Sequence, residues 1–124
     1  MPLVRLDLPQ SLADQARPIA DAVHNALVSA IGIPADDRFQ VIALHAPEHL
    51  IIDAQYLGIP RSGRALIVQI YLRKGRSVEL KKALYATIAA NLTALGLRAE
   101  DVLVSLSEND LPDWSFGLGL AQYC

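Results

Sequence analysis

The amino-acid sequence predicts an α+β fold, in which two β-α-β units form a four-stranded sheet with both helices on one face. Two strand-like segments are each followed by a long segment with the apolar spacing of an amphipathic helix, and then by another strand. A helix of that length between two strands favours parallel pairing. The chain also repeats itself at an offset of 64 residues, which aligns residues 30–33 (AIGI) with residues 94–97 (ALGL).

The first unit begins with a strand at about residues 2–8, where apolar and polar side chains alternate. Ser11, with an acidic residue three positions later, is expected to cap the helix that follows. Pro18 lies inside that helical pattern. Because an interior proline loses a hydrogen bond, the helix is expected either to kink there or to begin late. Gly32 stops the pattern.

The remaining elements repeat this order. Further strands are expected at residues 38–44, 65–72 and 101–106. Residues 45–63 are expected to form a crossover loop or an irregular segment, and Ser77 is expected to cap a second helix that ends at Gly96. We expect a single domain over residues 1–124, with repeat units at about residues 2–44 and 65–107 and a C-terminal tail at 108–124. Helices on one face leave the other face of the sheet bare and apolar, so oligomerisation is expected to cover it.

Composition excludes several classes of function. The chain has 124 residues, of which 52% are hydrophobic and 19% charged, and no apolar run approaches the ~18 residues of a membrane span. A formal net charge of -2 provides no basic field for nucleic acid, and no export signal is visible. We therefore expect a soluble, cytoplasmic protein with no nucleic-acid or membrane partner. One cysteine and three scattered histidines predict no metal site.

The second residue is a candidate catalytic group. Removal of Met1 would leave Pro2 as a secondary amine that can carry or accept a proton, held in place by the strand behind it. The alternative is that this is an ordinary chain start, since proline is tolerated at the first residue of a strand. The 64-residue offset aligns Pro2 with Leu66, which lies inside the chain, so only the first unit could supply such an amine.

The chain resembles the tautomerase superfamily, and within it the malonate semialdehyde decarboxylase branch. The residues that carry the resemblance are Pro2, Gly32-Ile33-Pro34, Asp37-Arg38-Phe39-Gln40, Val68-Gln69, Arg73 and Asp113-Trp114-Ser115-Phe116-Gly117. The resemblance implies a tautomerase-like fold and a homotrimer with an active site around each amino-terminal proline. It also implies cofactor-independent decarboxylation of a three-carbon β-oxo acid, with possible hydratase or keto-enol tautomerase activity.

The resemblance also assigns roles. Pro2 would be the acid or base, Asp37 its partner or the activator of a water, and Arg73 the residue that binds the substrate carboxylate, with Arg76 as a second arginine. A planar guanidinium suits a carboxylate, although a solvated basic turn explains the same two arginines. Trp114 and Phe116 would form a wall of the pocket, or else belong to a subunit interface.

Two other interpretations remain open at this stage. The spacing of Arg73-Lys74-Gly75-Arg76 looks more like the cis-3-chloroacrylic acid dehalogenases of the same superfamily, whose catalytic histidine and glutamate would fall on His24 and Glu108. A non-catalytic trimer that binds small acids would need the same arginines but no free amine, and would fit a chain that retains Met1. In every case the expected ligand is a small oxo or unsaturated acid that bears a carboxylate.

Overall fold

The computed structural model describes all 124 residues as a four-stranded sheet with two long helices. The strands and α-helices are β1 (Leu3–Pro9), α1 (Ala16–Ile31), β2 (Phe39–His45), β3 (Leu66–Arg73), α2 (Val78–Thr93) and β4 (Val102–Asn109). The strand order across the sheet is β2-β1-β3-β4. None of the helices combines the length and the hydropathy that a membrane-spanning helix requires.

The pairing confirms the predicted fold. Strands β1 and β2 are parallel, as are β3 and β4, while β1 and β3 meet antiparallel at the centre. Both helices cover one face, where the alternating residues of the two central strands are buried. These core residues are Val4, Leu6 and Leu8 in β1 and Leu66, Val68, Ile70 and Leu72 in β3.

The start of α1 differs from the predicted cap. Residues Gln10–Gln15 form a 3-10 helix, and α1 begins only at Ala16. Pro18 is therefore the third residue of the helix. A backbone N–H at that position has no intrahelical acceptor, so the helix loses no hydrogen bond by having proline there. Ser11 caps neither element. By contrast, the predicted cap of α2 is present, because the Ser77 hydroxyl accepts the Leu80 N–H at 3.2 Å.

The open face of the sheet is more polar than expected. Apolar residues lie on both the central and the outer strands of this face, among them Leu3 on β1 and Phe39 on β2, which is 45% exposed. The central strand β1 also carries Arg5 and Asp7 on this face, and Asp7 accepts a 2.7 Å hydrogen bond from the ring of His45 on the outer strand β2. The face is therefore mixed in character.

The topology brings four chain segments to one end of the sheet. Because β1 and β3 are antiparallel, Leu3 pairs with Tyr71, and the amino terminus lies beside the end of β3. Because β2 is parallel to β1, it starts at this same end, directly after the loop that leaves α1. Parallel pairing likewise aligns the end of β4 with Arg73. Residues distant in sequence therefore meet at this end.

Candidate active site

A cleft of about 230 Å³ opens where these segments meet. Its walls come from the amino terminus, the loop after α1, the end of β3, the turn between β3 and α2, and the C-terminal tail. The lining residues are Met1, Gly32, Ile33, Pro34, Asp37, Arg73, Arg76 and Tyr123. Three sequence-predicted site residues, Asp37, Arg73 and Arg76, thus lie together beside the start of the chain.

The amino terminus and Asp37 form an ion pair in the cleft. The Met1 ammonium group donates a hydrogen bond to Asp37 Oδ2. The two side chains are only 9% and 17% exposed, so the pair is largely shielded from water. Pro2 follows as a buried residue immediately before β1. An amine and a carboxylate are therefore held in contact at the point where Pro2 enters the sheet.

The two arginines place positive charge in the same cleft. Arg76 Nη1 donates a 2.9 Å hydrogen bond to the main-chain carbonyl of Arg73, which fixes the turn between β3 and α2. Partial burial and the nearby Arg73 guanidinium lower the pKa of Arg76, and Glu108 opposes that shift. Arg76 nonetheless stays a cation near neutral pH, because guanidinium starts from so high a pKa. Two like charges held close together favour an anionic ligand.

The predicted aromatic residues border a second, adjoining cleft of about 400 Å³ on the open sheet face. The rings of Trp114 and Phe116 stack with centroids 5.4 Å apart, and the Trp114 indole N–H donates to Asn109 Oδ1 at 2.7 Å. Phe116 also contacts Phe39 and Tyr123, each with centroids 5.6 Å away. Since Tyr123 lines the charged cleft, this aromatic cluster forms the boundary between the two clefts.

His24 and Glu108 line neither cleft. His24 is 6% exposed, and its Nε2 lies 2.8 Å from the Ala35 carbonyl oxygen. Glu108 Oε1 accepts a 2.9 Å hydrogen bond from Lys81 Nζ. Each side chain is thus engaged by another part of the chain.

Tyr123 was not identified as a site residue from the sequence. It lies in a glycine-punctuated tail with no periodicity to reveal its position. Gln122 folds that tail back, since its Oε1 accepts the Phe116 N–H at 2.9 Å and its Nε2 donates to the Gly117 carbonyl at 2.8 Å. No group of three or more His, Cys, Asp or Glu side chains is arranged to hold a metal ion.

Comparison with known proteins identifies the family. Two sequence models of a family described as tautomerase enzyme match the chain, one over residues 37–117 and the other over residues 2–59. The chain belongs to the tautomerase superfamily. A Bacillus subtilis (strain 168) relative, "Probable tautomerase YrdN", is 39% identical, and the match covers 99% of this chain and 96% of the relative. A second from that organism, "Probable tautomerase YusQ", is 35% identical, with 98% of each chain covered.

Solved structures refine the placement within the tautomerase superfamily. The FG41 malonate semialdehyde decarboxylase inhibited by 3-bromopropiolate is 42% identical with a TM-score of 0.92, covering 98% of this chain and 93% of that one. Another malonate semialdehyde decarboxylase is 35% identical with a TM-score of 0.90, covering 98% and 95%. That enzyme was solved in wild-type form, in inactivated form and with its first residue changed from proline to alanine. The predicted superfamily and its malonate semialdehyde decarboxylase-like branch are confirmed.

Proposed function

We propose that this tautomerase-superfamily enzyme decarboxylates malonate semialdehyde or a closely similar small oxo acid, without a cofactor, through the amine of Pro2 exposed by removal of Met1. The observation that carries this proposal is the common cleft, in which the start of the chain, Asp37, Arg73 and Arg76 meet. A carboxylate-bearing substrate fits that distribution of charge. The similarity to two malonate semialdehyde decarboxylases supports the choice of substrate.

Arg73 and Arg76 would bind the substrate carboxylate. Guanidinium presents parallel N–H donors that match the two oxygens of a carboxylate, whereas ammonium offers only a compact point charge. The hydrogen bond from Arg76 to the Arg73 carbonyl holds the two residues in a fixed relation. The substrate would then be oriented before reaction, which removes part of the entropic cost of the transition state.

Pro2 would act on the substrate carbonyl. Asp37 binds the chain's amine when Met1 is present, and the Pro2 nitrogen lies one residue further along the chain. After Met1 is removed, Asp37 would favour the protonated form of the Pro2 amine, whereas burial and the two arginines would favour the neutral form. This balance determines whether Pro2 serves as an acid or as a base.

As an acid, Pro2 would stabilise the charge that develops during decarboxylation. The bond between the carboxylate carbon and its neighbour breaks, its electron pair forms a double bond from that neighbour to the carbonyl carbon, and the carbonyl π electrons move to the oxygen. The carbonyl oxygen becomes enolate-like and receives a hydrogen bond or a proton from the Pro2 ammonium. Carbon dioxide leaves, and protonation of the enol carbon completes the aldehyde product.

Keto-enol tautomerisation is the second candidate function, because the two Bacillus relatives are named probable tautomerases. A neutral Pro2 amine would remove a proton from the carbon next to the carbonyl group, and the carbonyl oxygen would gain a proton to give the enol. The dehalogenase alternative has weaker support. It would require His24 and Glu108 at the substrate, but the first contacts the Ala35 carbonyl and the second contacts Lys81.

We further propose that the enzyme is a homotrimer. A fused 4-OT was solved as a symmetric trimer. It is 27% identical to this chain with a TM-score of 0.76, and the match covers 98% of this chain and 97% of that one. The exposed apolar edges of the open sheet face, such as Phe39 and Leu103, would be buried by neighbouring subunits.

Purified protein assayed with three substrates tests the proposed activity. We expect carbon dioxide release from malonate semialdehyde, and loss of that activity with 3-bromopropiolate, which inhibits the FG41 enzyme. Activity only on the enol of phenylpyruvate would instead establish the tautomerase candidate. Chloride release from cis-3-chloroacrylate would restore the dehalogenase interpretation. No turnover of any of the three by protein verified to begin at Pro2 would refute the proposal.

A further inference from the structure

Asp37 lies on a short loop that is held to helix α1 by a side-chain hydrogen bond before Asp37 and another after it. Before Asp37, the Ala35 carbonyl oxygen lies 2.8 Å from His24 Nε2. After Asp37, Arg38 Nη2 donates to Asp21 Oδ1 at 2.6 Å. The three residues from 35 to 37 therefore have little freedom, since the chain is held at each end of this interval.

The contact made by His24 determines its tautomer. A carbonyl oxygen only accepts hydrogen bonds, so Nε2 must carry the proton and donate it to Ala35. A ring nitrogen engaged in this way is not free to accept a proton from a substrate. His24 is also almost completely buried on α1, which keeps the donor at a constant position.

The second attachment is reinforced by Gln40. Arg38 Nε donates to Gln40 Oε1 at 2.8 Å, and Gln40 Nε2 donates to the Ala20 carbonyl at 2.9 Å. This attachment fixes the start of β2 against α1. It does not hold residues 35 and 36 directly. The other hydrogen bond that spans them is the 3.1 Å turn bond from the Asp37 N–H to the Pro34 carbonyl.

We infer that His24 is a positioning residue, which holds Asp37 in register with the amino-terminal amine through its hydrogen bond to the Ala35 carbonyl. The inference rests on the proposed function, in which Asp37 acts together with the Pro2 amine. Loss of the donor would let the loop move while Arg73 and Arg76, on a different segment, stay in place. Turnover should therefore fall more than substrate affinity.

Steady-state kinetics on malonate semialdehyde separates positioning from general stabilisation. His24→Leu removes the donor but fills the buried position with an apolar side chain. His24→Gln replaces the ring N–H with an amide N–H at a similar reach. Asn91→Ala is the matched control, since it deletes another side-chain hydrogen bond to a main-chain carbonyl, that of Ala22, at 3.1 Å. All forms are compared by circular dichroism and by amide hydrogen exchange at Asp37.

For His24→Leu we expect kcat to fall by about 10- to 100-fold with KM changed by less than about threefold, since small misplacements of a catalytic group have effects of this size. Exchange at the Asp37 amide should become faster, and His24→Gln should recover most of kcat. Asn91→Ala should keep kcat and the exchange rate. Unchanged kcat in folded His24→Leu, or an equal loss in Asn91→Ala or in His24→Gln, would overturn the inference. If His24→Leu does not fold, His24→Asn decides in its place, because it carries the same amide group as His24→Gln on a shorter side chain: a lowered kcat at constant KM with faster exchange at the Asp37 amide supports positioning by His24, and an unchanged kcat contradicts it.

A double-mutant cycle with Asp37→Asn separates the inference from the proposed function. If Asp37→Asn alone retains full kcat, the proposed role of Asp37 is refuted. If Asp37→Asn is impaired and His24→Leu causes its full additional loss in that background, only the positioning inference is refuted. We expect His24→Leu to have little further effect once Asp37 is replaced.

Discussion

Replacement of Arg73 by alanine tests how the cleft recognises a carboxylate. The Arg73 main-chain carbonyl, which accepts the Arg76 hydrogen bond, remains in Arg73→Ala, so the second arginine keeps its anchor. The substitution therefore removes one guanidinium with little other change. Truncating one partner of a buried hydrogen-bonded charge pair costs about 2 to 5 kcal/mol.

The exposure of Arg73 sets where in that range the effect should fall. Its side chain is exposed, so water weakens the interaction, and we expect a loss near the lower limit, about 2 to 3 kcal/mol. That loss corresponds to a decrease in kcat/KM of about 30- to 150-fold, at one decade for each 1.36 kcal/mol. Arg73→Lys should fall between alanine and wild type, because it keeps the charge but not the two parallel donors.

The assay is the initial rate of malonate semialdehyde decarboxylation over a range of substrate concentrations. Lys74→Ala is the matched control, because Lys74 is the next cation along the chain and pairs with Asp110 at 3.0 Å instead of lining the cleft. We expect that variant to retain kcat/KM within about threefold, as is usual for an exposed ion pair. Equal losses in Arg73→Ala and Lys74→Ala, or no loss in Arg73→Ala, would refute the assignment of Arg73 to carboxylate binding.

Three further predictions concern assembly, the loop after α1 and pH. Light scattering at micromolar concentration should give a mass of about three times 13.5 kDa, and a monomer would contradict the trimer. Gly32→Ala should lower the free energy of unfolding by about 1 to 2 kcal/mol in urea titrations, because Gly32 has a φ of 72°, which is unfavourable for alanine. Nothing lies within 4 Å of the added Cβ, so the cost comes from the backbone conformation alone, and an unchanged midpoint would contradict this. Arg38 lowers the pKa of Asp21 below 3.8, so their ion pair stabilises the fold above that pH and is lost as the pH falls through the lowered value. Wild type should therefore be more stable than Asp21→Asn at about pH 6, and this difference should shrink as the pH falls through the lowered pKa of Asp21; a constant difference would exclude the ion pair as its cause.

The order of the elements along the chain and the parallel pairing within each unit could be predicted because they depend on local patterns, whereas the antiparallel pairing of β1 with β3 was not predicted. The period of apolar residues distinguishes strands from helices, and a crossover helix requires parallel pairing. The N-terminal cap of α2 could also be predicted from a local pattern, and the Ser77 hydroxyl accepts the Leu80 N–H as expected. The start of α1 could not be predicted. Ser11 fits the sequence pattern of an N-cap, whereas neither the 3-10 helix Gln10–Gln15 nor the actual start at Ala16 has a side-chain cap that the sequence could reveal.

The cleft could be predicted only in part, because its residues meet through tertiary structure. Asp37, Arg73 and Arg76 stood out because their motifs resemble those of a known family, and the structure brings them to one cleft. Tyr123 joins them because Gln122 folds the tail back, and no local pattern encodes that contact. The open sheet face was expected to be apolar, but alternation alone does not reveal that Asp7 would be satisfied by a histidine on the neighbouring strand.

The proposed mechanism depends above all on the amine of Pro2, which performs the chemistry. Malonate semialdehyde decarboxylation should be measured for two preparations verified by intact mass, one beginning with Met1 and one beginning with Pro2, beside a processed Pro2→Ala variant that keeps a primary amine. In the Met1 form the Pro2 nitrogen is a tertiary amide that cannot serve as an acid or a base, and the Met1 ammonium group pairs with Asp37. We predict no turnover by the Met1 form, full turnover by the Pro2 form, and reduced or altered turnover by Pro2→Ala. Equal activity of the Met1 and Pro2 forms would contradict amino-terminal proline catalysis.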